Sequence, residues 1–284
     1  MKLPIIEKTF ISARSTFEEA NIILLGCPYD GSSTFRPGAR FGPSSIRKAS
    51  WGIETYSPYS DRDLESLSIH DMGDLEFPLG EKKISLDLIK KALKEILLAK
   101  KFPVLLGGDH LITLPIIEEL FKIYPNLYLI QIDAHTDLRD HYLGERLSHS
   151  TVIKRIIEHI GEDRLFQIGI RSGEKEEFKY AKKINSIKST TQVEINRLTK
   201  KLKDKPVYIT LDLDVIDPSI IPGVGTPEPG GLTFQEFISL LKRLQCLNVV
   251  GFDIVELTPD YDPTQISSII GAVILREMLL SFCP

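Results

Sequence analysis

One pattern recurs along the chain and constrains its fold more than any other feature: a short, almost wholly apolar run stops at a polar segment, and helical periodicity follows. Residues 20–27 (ANIILLGC) run into a Gly/Pro-rich loop at 28–43, and residues 103–106 run into Gly107, Gly108, Asp109 and His110. Residues 127–132 feed DAHTD, 165–170 feed RSGEKEE, 207–211 feed DLDVIDP, and 249–255 feed Glu256. Residues 68–72 are a further, modest strand. Helices are expected over 44–49, 86–100, 112–121, 234–244 and 266–280; in the second of these, Leu86, Ile89, Leu93 and Leu97 mark one face by their three-to-four spacing. Strands that are apolar on both faces and alternate with helices belong to a mostly parallel sheet covered on both sides. The fold class is therefore α/β. Ligands of such sheets gather beyond the carboxyl ends of the strands, where these polar segments fall.

The 284 residues show no low-complexity linker and no repeat, so a single catalytic domain over 1–284 is expected. The amino terminus has no apolar export core, and no apolar stretch approaches the roughly 20 residues that span a bilayer, so a cytoplasmic protein without membrane attachment is expected. The formal charge of -4, with a basic run only at 200–205, argues against a nucleic-acid surface. Cys27, Cys246 and Cys283 form no metal cluster and no disulfide scaffold; Cys27 and Cys246 are expected as small core residues.

Chemistry concentrates in three segments. Asp133, His135 and Asp137 share one face if strand geometry continues, and their spacing keeps them near one locus even if it does not. Asp212 and Asp214 repeat that arrangement after VYITL, and His110 follows paired glycines that admit a tight bend or a close backbone approach. Asp217, beside Pro218, reads as a turn or supporting residue. Four carboxylates and two imidazoles buried together need a cation. Two divalent ions offset the four negative charges where one would not, and the oxygen-rich donor set suits Mn²⁺ better than a closed structural Zn²⁺ site. A water held between two such ions is deprotonated near neutral pH, which makes hydrolysis the economical chemistry.

These segments carry a resemblance. GGDH at 107–110, DAHTD at 133–137, SHST at 148–151, DLDVIDP at 212–218 and GFDIVELTPDYDPT at 251–264, with GCPYD and RPGARFGP earlier, resemble in their order the ureohydrolase superfamily of arginases and agmatinases, and its agmatinase-like branch in particular. The resemblance implies an arginase-like three-layer α/β/α fold with an eight-stranded, mostly parallel sheet. It implies two Mn²⁺ per subunit held by His110, Asp133, His135, Asp137, Asp212 and Asp214. Asp133, Asp137 and Asp212 would contribute to both metal environments, His110 to one, His135 and Asp214 to the other. It implies proton transfer by His149, guanidinium binding by Glu256, and assembly as a trimer or hexamer. The activity it implies is attack of an activated water on the guanidinium carbon of agmatine, releasing urea and putrescine.

Substrate choice stays open at this point. Where arginases commonly carry an Asn two residues after DAHTD, this chain has Leu138, Arg139 and Asp140, which looks agmatinase-like. Arg139 can still bind a carboxylate, which keeps guanidinobutyrate and other guanidino acids in view, and arginine and N1-aminopropylagmatine remain alternatives. Glu174, Glu176 and Glu177 are candidates to meet a distal amine. His141 is a candidate for the entrance, whereas His70 and His159 are expected to be noncatalytic. Asp30, Arg36 and Arg40 serve either an active-site rim or local ion pairs. A catalytically silent oligomeric scaffold and a single-zinc, deacetylase-like amidohydrolase are the readings from other classes.

Overall fold

In a computed structural model, which describes residues 9–184 and 186–283, the apolar runs become strands. The strands are β1 (Ile22–Cys27), β2 (Tyr56–Ser57), β3 (Arg62–Asp63), β4 (Ile69–Asp74), β5 (Phe102–Gly107), β6 (Tyr128–Ile132), β7 (Leu165–Ile168), β8 (Ile187–Lys188), β9 (Pro206–Asp212) and β10 (Asn248–Val255). The helices are α1 (Gly42–Ser50), α2 (Lys82–Leu98), α3 (Thr113–Ile123), α4 (Val152–Ile160), α5 (Lys175–Lys183), α6 (Gln192–Leu202), α7 (Phe234–Leu244) and α8 (Ile266–Phe282). Eight strands form one sheet in the order β4-β1-β5-β10-β9-β6-β7-β8, and every ladder within it is parallel. β2 and β3 make a separate two-stranded ribbon.

Side chains alternate between the two faces of each strand. Ile22, Leu24, Val104, Leu106, Ile209 and Leu211 point into one core, roofed by Ile46 of α1, Leu198 of α6, Phe237 of α7 and Leu275 of α8. Ile23, Leu25, Leu105, Leu129 and Tyr208 point into the other, roofed by Leu93 of α2, Ile117 of α3, Ile156 of α4 and Ala181 of α5. The result is one three-layer α/β/α domain. α7 is closed at its start by a capping box in which the Thr233 hydroxyl accepts from the Glu236 amide and Glu236 accepts from Thr233. No helix among the described residues is long and apolar enough to cross a membrane.

The sheet order fixes the site. β5, β10, β9 and β6 are the four central, adjacent strands, and their carboxyl ends lead to His110, Glu256, Asp212 and Asp133 respectively. Residues as far as 146 positions apart in sequence are thereby gathered over about 15 Å of sheet edge, at strand spacings near 4.8 Å.

Several expectations need correction. β6 stops at Ile132, so DAHTD is not a continued strand. Residues 171–177 are not wholly loop, because α5 starts at Lys175. Cys246 is exposed after the end of α7, and only Cys27 and Cys283 are buried. The basic run at 200–205 is the end of α6 and the turn after it, with its lysines toward solvent.

Candidate metal centre

Gly108 is the first determinant. A Cβ on it would lie 1.9 Å from the Tyr29 carbonyl oxygen, so only glycine lets the end of β5 pass this close to the loop after β1. Asp109 follows, fully buried, and its Oδ1 accepts the Leu111 amide at the start of a short helical turn, His110–Ile112. That turn aims His110 across the ends of β9 and β6.

His110 is 1 % exposed, and its ring is fixed from behind. Asp253, itself fully buried, accepts the hydroxyls of Thr210 (2.6 Å), Thr113 (2.9 Å) and Tyr208 (3.0 Å). With its proton spent on Asp253, the Thr210 oxygen accepts from His110 Nε2 at 2.9 Å. The neutral ring therefore carries its hydrogen on Nε2 and presents a lone pair at Nδ1. That Nδ1 makes no hydrogen bond, yet Asp133 Oδ2 (3.2 Å), Asp137 Oδ2 (3.2 Å) and Asp212 Oδ2 (3.4 Å) surround it. A buried lone pair facing three carboxylate oxygens is a donor set suited to a divalent cation.

The second half lies beside it. His135 Nδ1 is 2.8 Å from Asp214 Oδ2 and 3.8 Å from Asp133 Oδ1. Donor atoms of His110, Asp133 and Asp212, and of Asp133, His135 and Asp214, fall within 4.8 Å of one another in two groups that share Asp133. Asp137 sits on the His110 side, and the bridging position is thus marked most clearly by Asp133.

Backbone and amide groups hold these ligands. Asp133 accepts the His135 amide at Oδ1 (2.6 Å) and Gln131 Nε2 at Oδ2 (2.6 Å); Gln131 is in turn held by Gln167 (2.7 Å), which accepts from Ser186 (2.7 Å). Asp214 accepts the Ala134 amide (3.1 Å), and Asp212 accepts the Asp214 amide (2.9 Å).

The electrostatics report the same crowding. Burial and the neighbouring Asp133 push Asp137 up to about 7, and burial with Asp214 and Asp133 pushes Asp212 well above the carboxylate range. Burial opposes charging of His110 and His135, but the carboxylates outweigh it: His110 is raised well above its ordinary value, and His135 to about 11. A cation held among these groups would favour the opposite forms, ionised carboxylates and neutral imidazoles.

A cavity of about 400 Å³ opens over the centre, lined by His110, His135, Asp137, Asp212, His149 and Glu256. Glu256 is 7 % exposed; its Oε1 accepts the His110 amide at 2.8 Å, and burial raises its pKa well above the ordinary carboxylate value, with Asp109 adding to the effect. His149 opens a helical turn (His149–Thr151) before α4. Burial lowers its pKa to about 4, against the Ser32 contact that raises it and with the positive neighbours His110, His135 and Arg139 adding to the drop. Its ring rests edge-on against Tyr142, centroids 5.7 Å apart.

Other candidates are distributed as follows. Asp217 accepts from Ser219 N (3.0 Å) and Oγ (2.6 Å), and from Gly230 N and Gly231 N, a turn role outside the ligand groups. Arg40 pairs with Asp30 at 2.7 Å, and Arg36 donates to the Pro222 carbonyl, so local contacts absorb that loop's charges. His141 pairs with Asp140 at 2.8 Å and does not line the cavity. His70 and His159 contact the Ser15 carbonyl and Glu118. Gln131, Thr210 and Asp253 were not singled out by sequence, although each is a polar residue within an apolar strand run, which is the signal that would have found them.

The arginase family model matches residues 20–281. An agmatinase of Bacillus subtilis (strain 168) is 45 % identical over 279 residues, covering 97 % of this chain and 96 % of that protein. The crystal structure of the agmatine ureohydrolase of Thermoplasma volcanium superposes with a TM-score of 0.87 at 32 % identity, covering 98 % of this chain and 94 % of that one. A guanidinobutyrase of Pseudomonas aeruginosa is 33 % identical over 292 residues, covering 98 % and 90 %. The buried two-part donor set is that of a binuclear-metal hydrolase with ureohydrolase chemistry, and the chain belongs to the arginase family, on its agmatinase-like branch.

Proposed function

We propose that the protein hydrolyses agmatine to urea and putrescine, with two Mn²⁺ held by His110, Asp133, His135, Asp137, Asp212 and Asp214. The observation that carries the choice of substrate is the state of Arg139 at the cavity mouth. Its Nε lies 3.3 Å from Glu177 Oε2 and its Nη1 3.3 Å from Glu174 Oε1, and its guanidinium stacks 4.7 Å over the Tyr142 ring. A substrate carboxylate would have to compete with both glutamates for it. Glu177 is buried and also accepts from Thr136 and Leu138, whereas Glu174 and Glu228 line the mouth and offer negative charge. Glu176 pairs with Lys179 at 2.6 Å and is not in the lining. Such a mouth favours a substrate with a cation at its far end.

The chemistry the ions supply when bound is polarisation and deprotonation of water near neutral pH. Glu256 orients the substrate: a guanidinium placed beside it favours the charged carboxylate and pairs with it directionally. Oε1 is already occupied by the His110 amide, which fixes the plane of the carboxyl group. His149, neutral and on the cavity wall, takes the proton released by the attacking water and delivers it to the departing amine, which leaves as an ammonium ion. A second proton leaves the same oxygen as the carbonyl of urea forms, so that both protons of the water end on the amine nitrogen, and the products are urea and putrescine.

The test is urea release by Mn²⁺-loaded protein from agmatine, N1-aminopropylagmatine, arginine and 4-guanidinobutyrate at matched concentrations. The highest kcat/KM is expected for agmatine. A higher value for 4-guanidinobutyrate would mean that Arg139 leaves its glutamates, and would reassign the substrate. Release from none of them would favour the silent scaffold. Light scattering on the eluting peak tests the trimer or hexamer.

A further inference from the structure

The loop after β1 contains GSSTF, a polar stretch that the metal centre does not use. Ser32 in that loop sits between the two sides of the site. Its amide and its hydroxyl both donate to Asp109 Oδ2, each at 2.9 Å. Its oxygen accepts the His149 backbone amide at 2.9 Å and lies 3.3 Å from His149 Nδ1. A serine hydroxyl has one hydrogen. Asp109 is fully buried and takes that hydrogen, so in the contact with Nδ1 the ring must donate and the serine oxygen accept. Nε2 of His149 has no partner among the described residues, and the ring lines the cavity. From its other side the ring meets Tyr142, whose hydroxyl is 3.4 Å from Thr34 Oγ1 in the same loop.

We infer that Ser32 is a positioning residue for His149: anchored on Asp109, its hydroxyl holds the neutral imidazole in the Nδ1–H tautomer, with Nε2 as the basic nitrogen facing the cavity. The consequence is specific. An imidazole carrying its hydrogen on Nε2 could donate toward the reacting atoms but could not accept the proton released there, so the wrong tautomer is idle as a base. Ser32 bonds to none of the proposed metal ligands and is not itself part of the cavity lining, which it meets only through His149. Its effect passes through the orientation of one ring. The role rests on the proton-transfer function proposed above for His149, but the tautomer can be read without turnover.

Two measurements test it. In full-length protein labelled with ¹⁵N-histidine and loaded with diamagnetic Mg²⁺, His149, assigned by comparison with His149→Gln, is expected to show a protonated Nδ1 and a lone-pair Nε2. In Mn²⁺-loaded protein, Ser32→Ala is expected to lower kcat for the best guanidino substrate about tenfold, the worth of one neutral hydrogen bond. KM should stay within about twofold, and Ser32→Thr, which keeps the hydroxyl, should restore most of the loss. A wild-type His149 with its hydrogen on Nε2 overturns the inference, whatever the kinetics. So does an unchanged kcat in Ser32→Ala, or a loss that Ser32→Thr fails to restore. If the protein releases urea from no guanidino substrate, the function proposed above fails while the spectrum still decides the tautomer.

Discussion

Replacing Thr210 by Val tests the metal centre at a residue that contacts no ion. The shape is nearly kept, but the oxygen that accepts from His110 Nε2 and donates to Asp253 is lost. Leaving a buried N–H without an acceptor costs about 1–3 kcal/mol. The ring avoids that cost by moving its hydrogen to Nδ1, where Asp133, Asp137 and Asp212 stand 3.2–3.4 Å away as acceptors. A divalent ion on Nδ1 forces the ring's hydrogen back to Nε2, where the variant has no acceptor for it, so metal binding bears the cost of the orphaned donor. The expected loss of metal affinity is about 10- to 100-fold, equivalent to about 1.4–2.8 kcal/mol and so of the same size as the orphaned donor. Mn²⁺ affinity is measured by chelator competition, with metal content after dialysis as the check, and Thr210→Ser should recover most of it. Wild-type affinity in T210V would refute the claim that Thr210 fixes the His110 tautomer.

H149A and D133A should fail in opposite ways: H149A keeps its metal while kcat falls about 10²- to 10⁴-fold, whereas D133A loses metal and turnover together. Metal content measured beside kinetics separates them, and full metal occupancy in D133A would remove Asp133 from the ligand set. R47M is expected to cost about 3–5 kcal/mol in denaturant unfolding, because Arg47, 4 % exposed, bridges the buried Asp71 at 2.8 Å and also pairs with Asp74; a loss below about 1 kcal/mol contradicts this. Chelated protein should lose stability as pH rises. Asp137, raised to about 7 from 3.8 by burial and Asp133, and His135, raised to about 11 from 6.5 by Asp214 and Asp133 against burial, hold their protons more tightly folded than unfolded. Their contribution is complete below 3.8 and 6.5 and drains away as pH climbs through the folded values. A Tm that rises between about pH 6 and pH 9 without metal counts against this, and Mn²⁺ should flatten the profile.

The strands and α7 were legible because burial leaves a periodic trace: Phe234–Leu244 has the bounds its spacing predicts. β8 is two residues long, too short for any period to show. α5 was hidden because KEEFKYAKK presents little apolar surface; of its residues only Glu177 and Ala181 are buried. At the site, residue types at strand ends were readable, since a carboxylate placed there has few other uses. What the sequence could not show was how the ligands are held. Thr210 and Asp253 pair across β9 and β10, and Gln131 is braced by Gln167 across β6 and β7; such adjacency is set by crossovers, not by spacing. Arg139 illustrates the same gap: as a residue it is an open carboxylate receptor, and only the packing of α5 against it brings Glu174 and Glu177 to its guanidinium.

The backbone carries one more mark of function. Asp137 and Glu256 lie in the left-handed region, at φ 51° and 69°. Non-glycine residues there cost of order 1 kcal/mol or more and persist where the surroundings demand the side chain. At Glu256 the turn brings the amide to the Gly108 carbonyl at 2.8 Å, while the carboxyl reaches the His110 amide at 2.8 Å. The end of β10 is thus tied twice to the loop that aims His110. At Asp137 the carbonyl accepts the Lys154 amide at 3.1 Å, joining DAHTD to α4, the helix that follows His149. Glycine would relieve both conformations but would supply no carboxylate. The two strained residues therefore link the parts that the proposed mechanism needs in register: His110 to the proposed guanidinium-binding group in one case, Asp137 to the proposed proton carrier in the other.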